Sequence, residues 1–164
     1  GSLDRARALD IMKDSRIGAF GALALLLVVM LKLALLALLW SQAPALLPWS
    51  LFAAHVVSRF FPLVLVRTMR HVGDEGRSKS KPLADQIASG SLFVALLWTL
   101  AALLLVAICV PGMPLAWPLA AAALMCLWLW RWFQRRLQGF TGDCLGATQQ
   151  LCELLFYLGL VLAL

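Results

Sequence analysis

The stretch AFGALALLLVVMLKLALLALLW, residues 19–40, runs for 22 residues with a single charge, Lys32. A bilayer's hydrocarbon core is about 30 Å thick and takes roughly 20 helical residues to cross. No water is present there to pair backbone N–H and C=O groups, so an apolar run of this length becomes a helix. Four more runs read the same way, at 46–66, 91–110, 115–130 and 145–164. The run at 115–130 is short and rich in tryptophan. Pro44, Pro48, Pro111 and Pro114 punctuate the short connections, as helix breakers do. Hydrophobic residues make up 63% of the 164-residue chain and mean hydropathy is +0.90, far above a soluble domain. The expectation is an all-α polytopic integral membrane protein with five transmembrane helices, forming a single membrane domain over residues 1–164.

Charge placement orients the threading. Arg5, Arg7, Lys13 and Arg16 precede the first run. Arg67, Arg70, Arg77, Lys79 and Lys81 lie in the long connection after the second, and Arg131, Arg135 and Arg136 follow the fourth. The connections 41–45 and 111–114 carry no charge. Every basic segment thus falls on one side of a five-helix threading, which the positive-inside rule makes cytoplasmic. Residues 67–90 form a cytoplasmic loop on this reading, and the C-terminus lies outside. Trp40, Trp49 and Trp117 near one boundary and Trp128, Trp130 and Trp132 near the other agree with interfacial aromatic belts. Orientation and attraction to anionic lipid account for the net charge of +6. No basic-aromatic nucleic-acid motif is visible, so no nucleic acid is expected as a partner. Ala43-Pro-Ala45 resembles a signal cleavage site. The apolar run before it exceeds the roughly 7–15 residues of a signal peptide, so it is read as a retained helix. Cys109, Cys126, Cys144 and Cys152 show no C-x-x-C spacing. They read as reduced, small, partly apolar residues rather than zinc ligands or a disulfide framework.

Two segments hold acids where a membrane protein has few. GFTGDCLGA, residues 139–147, follows the basic run, with Asp143 just ahead of the last apolar helix and Glu153 inside it. On a helix, Asp143, Gly146, Gln150 and Glu153 fall at offsets of three, seven and ten. Glu153 lies about 15 Å beyond Asp143 at the helical rise, near mid-membrane, where an ionisable group must face a partner or a polar cavity. Lys32 and Arg59 are the candidate partners, and His55 shares a face with Arg59 at i, i+4. A buried structural ion pair is the favoured reading for Glu153, with direct catalysis as the alternative. The other segment, IMKDSRIGAFG (residues 11–21), runs into the first helix. On a continuous helix Asp14, Gly18 and Gly21 share one face, and the glycines leave a groove for another backbone or a ligand. One reading is an ordinary interfacial helix start. The other is a site where Asp14, among Lys13, Ser15 and Arg16, binds a divalent cation and phosphate oxygens, as Mg²⁺ prefers. The basic loop at 77–82 is usually solvated surface, and it is also well placed to be an anion-binding lid.

These segments carry a resemblance. Met12-Lys-Asp14-Ser-Arg16-Ile-Gly18 and Gly142-Asp143-x-Leu145-Gly146-Ala147, with Gln150 and Glu153 after it, resemble the cobalamin synthase family. That family is also called adenosylcobinamide-GDP ribazoletransferase or cobalamin-5′-phosphate synthase. Ser58-Arg59 and Gly76-x-x-x-x-Lys81 fall between them in a similar order, and the likeness spans nearly the whole chain. It implies a bacterial inner-membrane enzyme, active face cytoplasmic, that uses Mg²⁺. Such an enzyme joins α-ribazole or its 5′-phosphate to adenosylcobinamide-GDP and releases GMP. The implied catalytic residues are Asp14 and Asp143, both also metal ligands. Lys13, Ser15, Arg16 and Lys81 are implied to bind substrate phosphate, with Arg59, Gln150 and Glu153 supporting them. Gly18, Gly21, Gly142 and Gly146 are the implied close-approach glycines. The expected partners are the two substrates and the lipid bilayer, and a second copy of the chain in a homo-oligomer is a further candidate.

Family members carry an Asp-Gly-x-x-Asp segment on an earlier helix, whereas this sequence opens at Gly1-Ser2-Leu3. The chain is therefore expected to lack an N-terminal part, corresponding to the C-terminal two-thirds of a member. Two readings compete. One is a non-enzymatic transporter or assembly module using Lys32, Arg59 and Glu153 as an ion path. The other is a phospholipid-type CDP-alcohol phosphotransferase, whose paired aspartate motif is not visible here.

Overall fold

The structure, a computed structural model, describes residues 4–14, 16–72 and 89–164. A short helix, α1 (Arg5–Lys13), precedes five long ones: α2 (Ala19–Gln42), α3 (Leu47–Thr68), α4 (Ser89–Cys109), α5 (Ala116–Arg136) and α6 (Gly142–Val161). A 3-10 turn at Pro44–Leu46 leads into α3. Each of the five long helices is long and apolar enough to cross a membrane, so the all-α, multi-pass expectation holds. Among the described residues there is no sheet, only an isolated parallel bridge between His71 and Phe140. The proline at position 44 enters the 3-10 turn and that at 48 the first turn of α3, where a missing N–H costs nothing. Gly112, at φ +97°, turns the chain between α4 and α5 in a region of backbone space that other residues avoid.

Helix α6 is the centre of the bundle. It packs against α5, α3 and α2, while α4 packs against α3. The buried positions of α6 include Cys144, Thr148, Cys152, Glu153, Phe156, Tyr157 and Leu160. By contrast α2 buries only Leu35 and Leu39, and α4 only Thr99 and Val106. Most of their remaining leucines and Trp98 are exposed, which suits a solvent whose tails are as apolar as leucine. Gly159 sets the α5–α6 approach. A Cβ there would stand 2.9 Å from the Pro118 Cα and 2.9 Å from the Trp117 carbonyl oxygen, closer than real side-chain contacts allow.

Three boundaries differ from the sequence reading. First, no continuous helix joins residues 11–21. α1 ends at Lys13, Asp14 is extended (φ −73°, ψ 116°) and α2 begins at Ala19 with Gly18 as its N-cap. The shared helical face of Asp14, Gly18 and Gly21 therefore does not form. The cause is local: the Asp14 carboxylate accepts the Arg16 backbone N–H at 3.1 Å, an Asx-type turn that competes with helix. Second, α5 runs to Arg136, past the expected end at 130. Arg135 and Arg136 occupy its last turn, where cations oppose the negative end of the helix dipole. Third, α6 begins at Gly142, so Asp143 lies within its first turn rather than ahead of it, where an acid complements the positive end.

The α5–α6 junction is tightly specified. Gln138 takes a left-handed conformation at φ +57°, and its N–H reaches the Phe133 carbonyl at 3.1 Å, terminating α5. Phe140, fully buried, then donates to the Arg70 carbonyl and accepts from the Val72 N–H, both at 2.9 Å. Gly139 permits this pairing, because a Cβ there would collide with the Arg70 carbonyl oxygen and the Val72 side chain.

Candidate functional site

Polar chemistry collects in two places, one at the basic end of the bundle and one in its middle. At the basic end, Arg5 on α1 donates from Nε to the Leu137 carbonyl at 2.7 Å. This bond satisfies a carbonyl at the end of α5 and holds the start of α1 against the α5–α6 junction. Asp14 itself is clasped by Arg16, with Nη2 2.8 Å from Oδ2 and Nε 3.1 Å from both carboxylate oxygens. That guanidinium, with the Arg16 backbone N–H, holds the Asp14 carboxyl below the usual carboxylate range. Both side chains remain open to solvent, at 41% for Asp14 and 88% for Arg16.

Between α1, the end of α5 and the start of α6 lies an open cleft of about 390 Å³. Ala8, Ile11 and Met12 form one wall. Trp132, Phe133, Arg136 and Leu137 form the other, and Cys144 contributes from α6. Met12 stands two residues before Asp14, and Cys144 directly follows Asp143, so the two end segments border the same cleft. Cys144 is fixed by its neighbours: the Thr141 hydroxyl donates to its sulfur at 3.4 Å, and the Thr148 hydroxyl to its carbonyl at 2.7 Å.

In the middle of the bundle, Glu153 is buried, with 2% of its side chain exposed. Lys32 from α2 places Nζ 2.7 Å from Oε1, and the Tyr157 hydroxyl donates to the same oxygen at 3.0 Å. His55 from α3 lies 3.7 Å away. Its Nδ1 is also 2.8 Å from the Leu51 carbonyl. That oxygen can only accept, so Nδ1 carries the proton. Three helices thus meet on one carboxylate. Arg59 does not pair with Glu153: its Nη1 donates to the His55 carbonyl one turn away, at 3.0 Å. The guanidinium sits on an exposed face of α3, so of the two candidate partners only Lys32 is used.

The remaining candidates divide. Lys13 is the last residue of α1, while Ser15 and Lys81 lie outside the described residues. Gly142 opens α6, and Asp143, Gly146 and Gln150 line an exposed stripe of it, leading to the buried Glu153. Among the described residues nothing lies within 4 Å of a Cβ built at Gly18 or Gly146, and Gly21 meets only the Ile17 side chain, 3.2 Å away. The close approaches occur at Gly139 and Gly159 instead. Tyr157 also went unflagged, although its place four residues after Glu153 puts it on the same helical face.

A hard divalent cation needs only one or two carboxylates, with waters and substrate phosphates completing its shell. Asp143 is exposed and fits that requirement. Asp14 fits once Arg16 releases its oxygens, which a substrate phosphate competing for the guanidinium would bring about. Among the described residues no group of three His, Cys, Asp or Glu side chains converges.

These features define a multi-pass α-helical membrane protein with the exposed carboxylates Asp14 and Asp143 near its basic segments. The profile of the cobalamin-5-phosphate synthase family matches residues 1–161, and the chain belongs to that family. It is 52% identical over 176 residues to an adenosylcobinamide-GDP ribazoletransferase of Polaromonas naphthalenivorans, covering 100% of this chain and 63% of that protein. Proteins of the same name from Leptothrix cholodnii and Vibrio cholerae are 46% and 42% identical, over 97% and 96% of this chain and 61% and 58% of theirs. The chain thus spans less than two thirds of the length of the curated relatives it matches. No solved structure matches it.

Proposed function

We propose that this chain carries the acid-bearing core of an adenosylcobinamide-GDP ribazoletransferase, working on the cytoplasmic side of a bacterial inner membrane. The observation that supports the reading is the cleft at the basic end, which Met12 from the Asp14 segment and Cys144 from the Asp143 segment both line. In the reaction, a ribose hydroxyl of α-ribazole or its 5′-phosphate attacks the phosphorus on the cobinamide arm. A new P–O bond forms, the P–O bond to GMP breaks, and the hydroxyl proton is lost. Asp143 orients that hydroxyl and accepts its proton. Arg16 leaves Asp14 for a phosphate oxygen of the donor. Mg²⁺ held by Asp14 and Asp143 would offset charge on the phosphoryl oxygens. Positioning contributes most of the remaining acceleration.

The basic ends of α1 and α5 support the cytoplasmic assignment. The ion-path alternative has the enclosure of Glu153 against it, since a conducting carboxylate needs access that Lys32 and Tyr157 occupy.

The test is complementation of a strain lacking cobalamin synthase, using the family-length protein. Asp14→Asn and Asp143→Asn should each abolish cobalamin formation while membrane insertion persists, and their losses should be non-additive. Near-normal turnover of both variants under limiting Mg²⁺ would overturn the shared site.

A further inference from the structure

The cleft at the basic end has a make-up that Asp14 and Asp143 do not explain. Its floor is Phe133 and Cys144, each 2% exposed. Trp132 and Ile11 stand at the rim, 47% and 53% exposed, so the cleft is reachable without rearrangement. Arg136 is the only charged side chain among the described residues that line it. About 390 Å³ falls within the roughly 300–1,000 Å³ of small-molecule pockets. Apolar and aromatic walls with one guanidinium suit a flat, neutral aromatic ring joined to an anionic group.

Position narrows the ligand further. Whatever fills the cleft lies against Met12 and Cys144, which stand two residues before Asp14 and one after Asp143 in the chain. A ligand there has its ring against the hydrophobic walls and its anionic group at Arg136.

Resting on the transferase reading above, we propose that this cleft is the acceptor subsite. The benzimidazole base of α-ribazole stacks on Trp132 and packs over Phe133 and Met12. The 5′-phosphate, when the acceptor carries one, is held by Arg136. Arg136 then sets the preference between ribazole and its phosphate, and the ring pocket sets which lower-ligand base is accepted. A phospholipid presents the same two chemistries, an apolar chain and a phosphate, so the test must separate the two sources.

The experiment uses the family-length protein in nanodiscs of phosphatidylethanolamine and phosphatidylglycerol, with α-ribazole, its 5′-phosphate and adenosylcobinamide-GDP as separate probes in equilibrium dialysis. Arg136→Gln should weaken binding of the 5′-phosphate at least tenfold and leave free ribazole within twofold. Ile11→Trp changes an exposed rim residue and should block the cleft, weakening both acceptors at least tenfold without affecting adenosylcobinamide-GDP. In discs containing brominated acyl chains, adding the acceptor should relieve quenching of Trp132, read as the difference from Trp132→Phe. If the acceptors bind with unchanged affinity in both variants, the subsite is wrong while the transferase reading stands. Quenching that persists at saturating acceptor assigns the cleft to an acyl chain and overturns the proposal. If neither acceptor nor adenosylcobinamide-GDP binds the unaltered protein, the transferase reading fails and takes the subsite with it.

Discussion

Asp14 and Glu153 are both carboxylates held by a cation at under 3 Å, yet they do opposite work. Glu153 is enclosed by Lys32 from α2 and Tyr157 on its own helix, with His55 from α3 at the edge. Asp14 and Arg16 are two residues apart on an exposed bend. In the enclosed cluster neither charge has water to return to, so each depends on the other and three helices are tied to one point. On the exposed bend, solvent screens the attraction, and the pair can open when a competing ion arrives. Medium, more than distance, decides which carboxylate is a fixed tie and which can exchange its partner.

The largest expected effect breaks the enclosed cluster. Removing one partner of a buried pair leaves an uncompensated charge, at a cost of about 3–5 kcal/mol. Glu153→Gln and Lys32→Met should each lose stability of that order in reversible unfolding in mixed detergent micelles. The double variant should recover part of it, since no lone charge remains. Strictly additive losses would show that the two side chains do not act as a pair.

A second test compares glycines. Gly159→Ala drives a methyl to 2.9 Å from Pro118 and should cost about 1–3 kcal/mol as an overpacked contact. Gly139→Ala should behave similarly, because the obstructing Arg70 oxygen is backbone and cannot move aside. Gly146→Ala, with open space around it, should be neutral in the same unfolding assay. A large loss at Gly146 would show that another surface covers that stripe of α6.

The smallest effect belongs to the exposed pair. The Asp14 carboxyl is held below its ordinary range by Arg16, so the stability it contributes is present above the unfolded-state value of about 4. That contribution is lost as pH falls through the lower folded-state value. Thermal melts of the wild type and Asp14→Asn should therefore differ slightly at pH 7 and converge on acidification. A difference that grows toward low pH would reverse the assignment.

Much of this was legible in the residues. The five spans follow from the lengths of the apolar runs, since nothing in hydrocarbon can pair an open backbone. The choice of Glu153 as a paired acid follows from the same physics, and Lys32 was one of two possible partners. The break after Lys13 was missed because an Asx turn at Asp14 outweighs the helical spacing of Gly18 and Gly21. The tight contacts at Gly139 and Gly159 are not legible, because crowding depends on which segment lies opposite, and no single stretch records that.

The sequence by itself determined the membrane-spanning class, the number of long helices and the side on which basic residues gather. These depend on quantities summed along the chain, namely hydrophobic length and charge count. Only the tertiary structure decided that Lys32 rather than Arg59 meets Glu153, that Gly159 faces Pro118, and that Met12 and Cys144 border one cleft. Those outcomes turn on the rotation of each helix about its axis and on a single Arg5 hydrogen bond. Helix rotation is set by packing between distant segments, so it exists only once the bundle has formed.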